Sequence, residues 1–171
     1  MADKLPARLI VMGVTGCGKT TVGALLAGRL GAVFLDGDDY HPPENVAKMS
    51  AGTPLTDMDR WPWLDRLGEV IEEAVAGRGR VVLACSALRR VYRDRLTEGC
   101  REAPLFIHLS GGRGLIHGRM AARREHYMPV ALLDSQIATL EAVQPDENAM
   151  EITIDAAADD VVAKVLARLG A

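Results

Sequence analysis

The stretch Gly13-Val14-Thr15-Gly16-Cys17-Gly18-Lys19-Thr20 decides the fold of this chain. It fits the phosphate-binding pattern G-x-x-x-x-G-K-[ST], and it lies between an apolar run that predicts a strand and an amphipathic stretch that predicts a helix. Glycines let backbone N–H groups close around phosphate oxygens, the lysine supplies a positive charge for the β- and γ-phosphates, and the last hydroxyl can bind Mg²⁺. The motif therefore predicts a site for ATP and Mg²⁺.

Nucleotide contacts are expected along the whole loop and at the start of the helix that follows it. The expected nucleotide-binding residues are Gly13, Thr15, Gly16, Cys17, Gly18, Lys19, Thr20 and Thr21. ATP is preferred to GTP because the sequence has no Asn-Lys-x-Asp signature. The third predicted strand ends without the acidic residue of a Walker-B motif, which disfavours a motor or switch ATPase. A loop that only turns the chain is the alternative, and the flanking strand and helix argue against it.

Composition limits the kind of protein. The 171 residues, 49% of them hydrophobic, are expected to form one compact domain over residues 1–171. A net charge of −3 supplies no positive field for a nucleic-acid backbone, so no nucleic-acid partner is expected. The apolar runs are too short to cross a membrane, and residues 1–7 lack the core of a signal peptide. Three cysteines without a C-x-x-C pair favour a reducing cytoplasm.

Short apolar runs alternate with longer helical patterns. Strands are predicted at residues 9–12, 33–35, 81–84, 105–109 and 151–154, and helices at residues 20–30, 63–76, 89–98, 115–125, 130–141 and 159–169. Nearly continuous Val, Ile and Leu runs are typical of strands that are buried on both faces. The repeated order of strand and helix predicts an α/β three-layer sandwich around a five-stranded parallel sheet.

Three carboxylates follow the second predicted strand, where ligands of open parallel sheets bind. Beside an ATP-bound Mg²⁺, one carboxylate can orient the ion through water and another can accept the proton of an attacking hydroxyl. We expect Asp38 to be this base, with Asp36 the second choice. Asp36 is also expected to join Thr20 at the metal. The alternative is an acidic turn that hydrogen-bonds its own backbone.

Basic residues are expected at the same edge of the sheet. Ser86 and Arg89 follow the third strand and are predicted to contact the substrate, although such an arginine is commonly a solvated surface charge. Arg119 and Arg123 lie one helical turn apart and predict a cationic lid, about residues 119–130, that closes over ATP and neutralises charge on the transferred group. A solvated surface stripe is the alternative interpretation of these two arginines.

The region of about residues 40–64 is expected to bind the phosphate acceptor. Its Gly and Pro content predicts a shaped loop ahead of Trp63, which is expected to begin an apolar helix face. Arg60 can hold a carboxylate through two parallel hydrogen bonds, and His41 and Lys48 can reach the acceptor's hydroxyls or its charge. A lone histidine is more often a structural residue, so His41 keeps that alternative.

Together these residues resemble the bacterial gluconate kinases, which are small P-loop kinases related to shikimate and adenylate kinases. The resemblance covers most of the chain. It is carried by the phosphate loop, by Phe34-Leu35-Asp36-Gly37-Asp38 with His41-Pro42, by the run from Lys48 to Leu64, by Cys85-Ser86-Ala87-Leu88 with Tyr92-Arg93-Asp94, and by Arg119, Arg123 and His126. The middle run is the part that points to gluconate. The segment Tyr127-Met128-Pro129 departs from the aromatic-rich lid of that family.

The resemblance implies a fold like that of nucleoside monophosphate kinases, with a helical lid, and usually a homodimer. It implies transfer of phosphate from ATP, with Mg²⁺, to the 6-hydroxyl of D-gluconate, giving 6-phosphogluconate. The roles it implies are phosphate and metal binding for residues 16–18, Lys19 and Thr20, a base at Asp38, acceptor recognition by Arg60, His41 and Ser86, and a lid with Arg119 and Arg123.

Three other functions stay open from the sequence: a nucleoside monophosphate kinase, a kinase of shikimate-like acids, and a nucleotide-binding module without turnover. A nucleobase needs an aromatic or apolar slot, and only 4% of the residues are aromatic. One cationic clamp with several polar groups suits the carboxylate and hydroxyls of a sugar acid. A module without turnover would leave the acidic cluster beside the phosphate loop without a purpose.

Overall fold

One parallel sheet forms the centre of the molecule. The structure is a computed structural model, and it describes residues 4–122 and 130–171. Its strands are β1 Arg8–Met12, β2 Val33–Asp36, β3 Val81–Ala84, β4 Leu105–Ser110 and β5 Ala149–Thr153. They are hydrogen-bonded in the order β2-β3-β1-β4-β5, with every pair parallel. The carboxyl ends of the five strands therefore lie at the same edge.

Helices cover both faces of this sheet. They are α1 Lys19–Leu30, α2 Pro43–Ser50, α3 Asp57–Arg78, α4 Arg90–Glu98, α5 Arg113–Ala122, α6 Val130–Thr139 and α7 Ala158–Leu169. A 3₁₀ turn, Gly37–Tyr40, leads out of β2. Helices α1 and α7 pack against each other on one face, and α3 and α4 pack on the other.

Alternation along β1 explains the three layers. Leu9 and Val11 belong to the apolar cluster under α1 and α7, whereas Ile10 and Met12 belong to the cluster under α3 and α4. Successive side chains of a strand point to opposite faces, so one continuous apolar run supplies both clusters. All four side chains are at most 1% exposed. The predicted five-stranded parallel sheet between two helical layers is confirmed.

The prediction of a shaped loop ahead of Trp63 was only partly right. Residues 51–56 do separate two helices, but α2 precedes them and α3 begins six residues before Trp63. The early start has a local cause in a capping box: the Thr56 hydroxyl accepts the Asp59 N–H, and the Asp59 carboxylate accepts the Thr56 N–H. Pro62 lies inside α3, where it donates no backbone hydrogen bond.

The predicted lid and the expected lack of a membrane span can be compared only with the described residues. Most of the predicted lid, including Arg123, falls on residues 123–129, which lie outside the described residues. Within residues 4–122 and 130–171, the structure contains no helix with the length and apolar character that crossing a membrane requires.

Candidate active site

The phosphate loop joins β1 to α1 through glycines in the left-handed region of backbone conformation. Gly16 has a φ of 79° and Gly18 a φ of 95°, and Gly18 is the N-terminal cap of α1. Other residues adopt such angles only with strain. A Cβ on Gly16 would also lie 2.6 Å from Cγ of Met120 in α5, so that helix packs directly against the loop. The loop is thus shaped to turn its amides toward an anion at the start of α1.

Side chains and neighbouring loops hold the phosphate loop in place. The Lys19 ammonium folds back over it and donates to the Val14 carbonyl at 3.0 Å. The Gly13 N–H donates to the Ser86 carbonyl at 3.2 Å, which ties the loop to the segment that follows β3. Ser86 is therefore next to the phosphate loop, as expected from its position after a neighbouring strand. Ala87 beside it has a φ of 45°, an uncommon angle for a residue with a Cβ.

The acidic turn after β2 lies against the start of α1. The Thr20 hydroxyl donates to Asp36 Oδ2 at 3.1 Å, and the other Asp36 oxygen accepts the Asp38 N–H at 3.0 Å. A hydroxyl and a carboxylate are hard oxygen donors of the kind that Mg²⁺ prefers, and this ion is commonly held by one or two protein groups together with substrate phosphates. Thr20 and Asp36 therefore fit the metal expected with ATP.

Asp38 stands at the open side of this turn. Its side chain is 88% exposed, but the protein around it reduces its hydration. This desolvation raises the pKa of Asp38, the Asp36 carboxylate raises it further, and the positive charge of Lys19 opposes both. The structure thus brings the expected base, the expected metal-binding carboxylate and the phosphate-loop lysine together.

His41 lies between the acidic turn and α3. Its ring is stacked on Trp63 with the centroids 4.1 Å apart, and its Nδ1 lies 3.3 Å from the side-chain nitrogen of Asn45. The NH₂ group of Asn45 can only donate, so Nδ1 accepts and Nε2 carries the hydrogen, 3.9 Å from a carboxylate oxygen of Asp38. Burial lowers the pKa of His41, which favours the neutral ring. These contacts fit the structural alternative, and they also hold one N–H toward the acidic turn.

Arg60 and Arg89 converge on Tyr92 from two different elements. Their guanidinium carbons lie 5.2 and 5.7 Å from the centre of its ring. Asp57 lies among them: it accepts from the Tyr92 hydroxyl and from Arg89, each at 2.6 Å, and is 3.8 Å from Arg60. The Tyr92 hydrogen bond is the largest cause that lowers the pKa of Asp57, and Arg89 adds to it. Arg89 also donates to Glu141 at 3.2 Å, and the other Glu141 oxygen accepts the Arg90 N–H.

An open cavity of about 480 Å³ lies beside these two arginines. Its lining residues come from the segment before α3 and the first turn of that helix, from the start of α4 with the residue before it, and from α6 with a residue after it: Pro54, Leu55, Arg60, Arg89, Tyr92, Ser135, Ala138, Thr139 and Glu141. A polar cavity with two guanidinium groups at one side suits a small carboxylate that also carries hydroxyls. The positive charge of Arg60 also helps to lower the pKa of His41, after burial as the main cause.

Lys48 has a different environment from the one the sequence suggested. Its ammonium lies 2.9 and 2.8 Å from the two carboxylate oxygens of Asp59, the residue that completes the capping box. This hydrogen bond is the largest cause that brings the pKa of Asp59 to about 2. Lys48 therefore braces the start of α3, and its predicted contact with the acceptor stays a prediction.

Arg119 and Cys17 lie on the other side of the phosphate loop. Arg119 donates to the backbone carbonyls of Ile154 and Ala156, in the segment that follows β5. Cys17 is fully buried, and burial raises the pKa of its thiol. The start of a helix can lower a cysteine pKa, but desolvation outweighs that effect here. The Cys17 side chain is thus a small packing group beneath the loop.

Several residues of this site were not among the predicted site residues, although Asp57 and Tyr92 lie in stretches that carry the family resemblance. Asp57, Tyr92 and Glu141 complete the arginine network, and the carboxamide of Gln136 accepts the N–H of Thr15 in the phosphate loop at 2.6 Å. The partners in these contacts lie far apart in the chain, up to 121 positions for Thr15 and Gln136, so local spacing does not reveal the contacts. Gln136 lies within α6, so it is not one of the polar residues that directly follow a strand, where the sequence predicted the site.

Comparison with known proteins connects this geometry to a family. Residues 9–143 match a family described as an AAA domain. A probable gluconokinase of Rattus norvegicus is 45% identical over 181 residues, covering 96% of this chain and 98% of that protein. The gluconokinase of Gluconobacter oxydans (strain 621H) is 44% identical over 162 residues, covering 94% and 90%. The crystal structure of a gluconokinase from Sinorhizobium meliloti 1021 superposes with a TM-score of 0.87 at 41% identity, covering 98% and 93%.

Proposed function

Because the chain belongs to the gluconokinase family of small P-loop kinases, we propose that it phosphorylates D-gluconate at the 6-hydroxyl, forming 6-phosphogluconate and ADP. The choice of gluconate rests on identities of 44–45% to relatives of that name over nearly the whole chain. The structural observation that carries the chemistry is the hydrogen bond between Thr20 and Asp36, since it joins the acidic turn to the phosphate loop.

The acceptor is proposed to bind in the cavity beside Arg60 and Arg89. Arg60 uses one guanidinium nitrogen for the Leu55 carbonyl at 2.8 Å and is 3.8 Å from Asp57, which leaves further N–H donors for a carboxylate. His41, Lys48 and Ser86 are proposed to serve the hydroxyl groups and the far end of the molecule. In this orientation the carboxylate lies with the arginines and the 6-hydroxyl lies toward Asp38.

The proposed transfer is an in-line displacement at the γ-phosphorus. The bond from O6 of gluconate to phosphorus forms while the bond to the ADP oxygen breaks, and the hydroxyl proton passes to Asp38. A raised pKa suits this task, because it makes the carboxylate a stronger base that accepts the proton more readily. Lys19, Arg119 and Arg123 are proposed to stabilise the charge that develops on the transferred group.

Mg²⁺ is proposed to accompany ATP, with Thr20 and Asp36 as the groups that would hold it. When bound, the ion neutralises phosphate charge and orients the γ-phosphate. The hydrogen bond between these two residues keeps both oxygen donors beside the start of α1. We further propose one kinase domain over residues 1–171 with a lid at about residues 119–130, active as a homodimer in the cytoplasm.

The test is a coupled assay of ADP release with alternative acceptors. The purified protein is given Mg²⁺ and ATP together with gluconate, shikimate or nucleoside monophosphates, and each product is identified by mass. Gluconate-dependent ADP release, with one phosphate on gluconate, is the expected result. Turnover with another acceptor but not gluconate would overturn the proposed substrate. Nucleotide binding without turnover on any acceptor would instead favour a non-catalytic module.

A further inference from the structure

The side chain of Gln136 accepts a hydrogen bond from a backbone amide of the phosphate loop. Its carboxamide lies 2.6 Å from the backbone nitrogen of Thr15, and the residue is half-buried within α6. An N–H group only donates, so the atom that faces it is the oxygen Oε1, and the NH₂ group of Gln136 stays beside the loop as a donor. A helix remote in sequence thus reaches into the phosphate site.

This amide lies where the terminal phosphate of ATP is expected. Amides of such a loop bind phosphate oxygens, and the lysine of the motif reaches the β- and γ-phosphates. Here the Lys19 ammonium lies on the carbonyl of Val14, the neighbour of Thr15. A γ-phosphate oxygen that accepts the Thr15 N–H would take the position that Gln136 Oε1 now holds. ATP and Gln136 therefore compete for one donor.

Helix α6 also lines the acceptor cavity. Ser135, Ala138 and Thr139 form part of its wall, which Arg60 also lines. Gln136 thus extends toward the phosphate donor from the same helix that borders the proposed acceptor. A side chain in this position can contact the phosphoryl group while it passes from one to the other.

We propose that Gln136 positions the transferred phosphoryl group. Its oxygen satisfies the Thr15 N–H while the site is empty, and its NH₂ group donates to the γ-phosphate once ATP has taken that N–H. The first role is independent of the acceptor, whereas the second rests on the proposed kinase function. A carboxamide suits both roles because it carries one acceptor and one donor group and has no charge to repel a phosphate.

The test compares ATP with ADP, which differ only in the phosphate that Gln136 is proposed to contact. Gln136→Glu puts a negative charge beside the γ-phosphate. We expect binding of a nonhydrolysable ATP analogue to weaken about tenfold or more, while ADP binding changes by less than about twofold. Gln136→Ala, which loses the donor without adding charge, should lower kcat about a hundredfold with little change in the gluconate KM. Gln144→Ala is the matched control, because Gln144 is exposed and its side chain donates to the nearby Ala142 carbonyl, whereas its hydrogen bonds with Glu147 use backbone atoms that the substitution keeps.

The nucleotide arm separates this inference from the choice of gluconate. If the wild-type protein does not phosphorylate gluconate, the proposed function fails, but the ATP and ADP affinities of Gln136→Glu still decide the role of Gln136. Equal losses for ATP and ADP, or no loss for either, would overturn the inference and make Gln136 a structural contact of α6. If Gln136→Glu does not fold, Gln136→Ala decides through kcat, and an unchanged kcat overturns the proposal.

Discussion

The hydroxyl of Thr20 and the carboxylate of Asp36 are joined by a hydrogen bond of 3.1 Å. Thr20 lies in the first turn of α1, and Asp36 ends β2, which is separated from β1 by β3. This contact brings the acidic turn to the phosphate loop across two strand spacings. It also leaves Asp38, two residues later, on the open side where an acceptor can approach.

Replacement of Asp38 tests the proposed base. Asp38→Asn keeps the size of the side chain but removes its ability to accept a proton, so kcat with gluconate should fall about a hundredfold or more. ATP affinity should stay within about threefold, because the phosphate loop is intact. Steady-state kinetics and nucleotide titration measure the two effects. Asp39→Asn, at an exposed neighbouring carboxylate, is the control and should retain turnover at neutral pH; near-normal turnover of Asp38→Asn would assign the base elsewhere.

The raised pKa of Asp38 predicts the acid limb of the pH profile. The base acts only when ionised, so kcat/KM should fall as the pH drops through the pKa of Asp38 in the free enzyme. Because desolvation and Asp36 raise that pKa, the inflection should lie above the ordinary aspartate value of about 3.9. Asp39 also contributes to the rise, so Asp39→Asn should move the inflection to lower pH. An inflection at or below the ordinary value would contradict the proposed environment of Asp38.

Replacement of Arg60 tests the proposed carboxylate contact. Arg60→Ala should raise the gluconate KM by the equivalent of about 2–3 kcal/mol, the cost of losing a charged hydrogen-bonded pair from a desolvated site. ATP KM should change little, since Arg60 borders the acceptor cavity rather than the phosphate loop. Arg66→Ala is a suitable control on the same helix, because Arg66 pairs with the surface carboxylates of Glu69 and Glu73.

The same assay distinguishes recognition from structure at Arg60. The residue also contacts the Leu55 carbonyl and the Tyr92 ring, so its loss can loosen the start of α3. Arg60→Lys keeps the charge but cannot form two parallel hydrogen bonds, and an intermediate gluconate KM is expected. A gluconate KM that does not change in either variant would leave Arg60 with a structural role only.

Local sequence patterns were sufficient to predict the sheet and the phosphate loop. The run 81–84 was predicted with its observed ends, because a continuous apolar segment between helices has few other structures open to it. Asp36 and Thr20 were expected at one metal site, which stays a prediction; the structure places the two side chains in hydrogen-bond contact, since both follow strands at one edge of a parallel sheet. These predictions need only the order of strands and helices along the chain and the period of the hydrophobic pattern.

Side-chain contacts that depend on how the helices pack could not be predicted from local sequence patterns. The predicted contact of Lys48 with the acceptor stays a prediction, but its ion pair with Asp59 was not foreseen, because it depends on the angle between α2 and α3, which residue spacing does not determine. Its contact with Asp59 arises because the capping box fixes where α3 begins. The Gln136 contact likewise depends on how α6 is oriented over the phosphate loop.

Replacement of Gly16 tests the shape of the phosphate loop itself. Gly16→Ala introduces two penalties: strain of roughly 1–2 kcal/mol from a left-handed backbone angle, and a Cβ that would lie 2.6 Å from Met120 Cγ. The loop must shift, so affinity for both ATP and ADP should fall. Gly28→Ala is the control, because Gly28 lies within α1 with nothing near its missing Cβ. That change should leave nucleotide affinity intact and stabilise the fold by roughly 0.5–1 kcal/mol in chemical unfolding.

The origin of the Gly16 effect can be separated with a second substitution. Met120 is a flexible side chain, and Met120→Ala would remove the clash but not the backbone strain. If the double variant Gly16→Ala, Met120→Ala recovers nucleotide affinity only in part, both penalties act, as the geometry requires. Full recovery would mean that packing of α5 against the loop, rather than the left-handed angle, is what requires glycine at position 16. Nucleotide affinity that is unchanged in Gly16→Ala alone would contradict the described loop conformation.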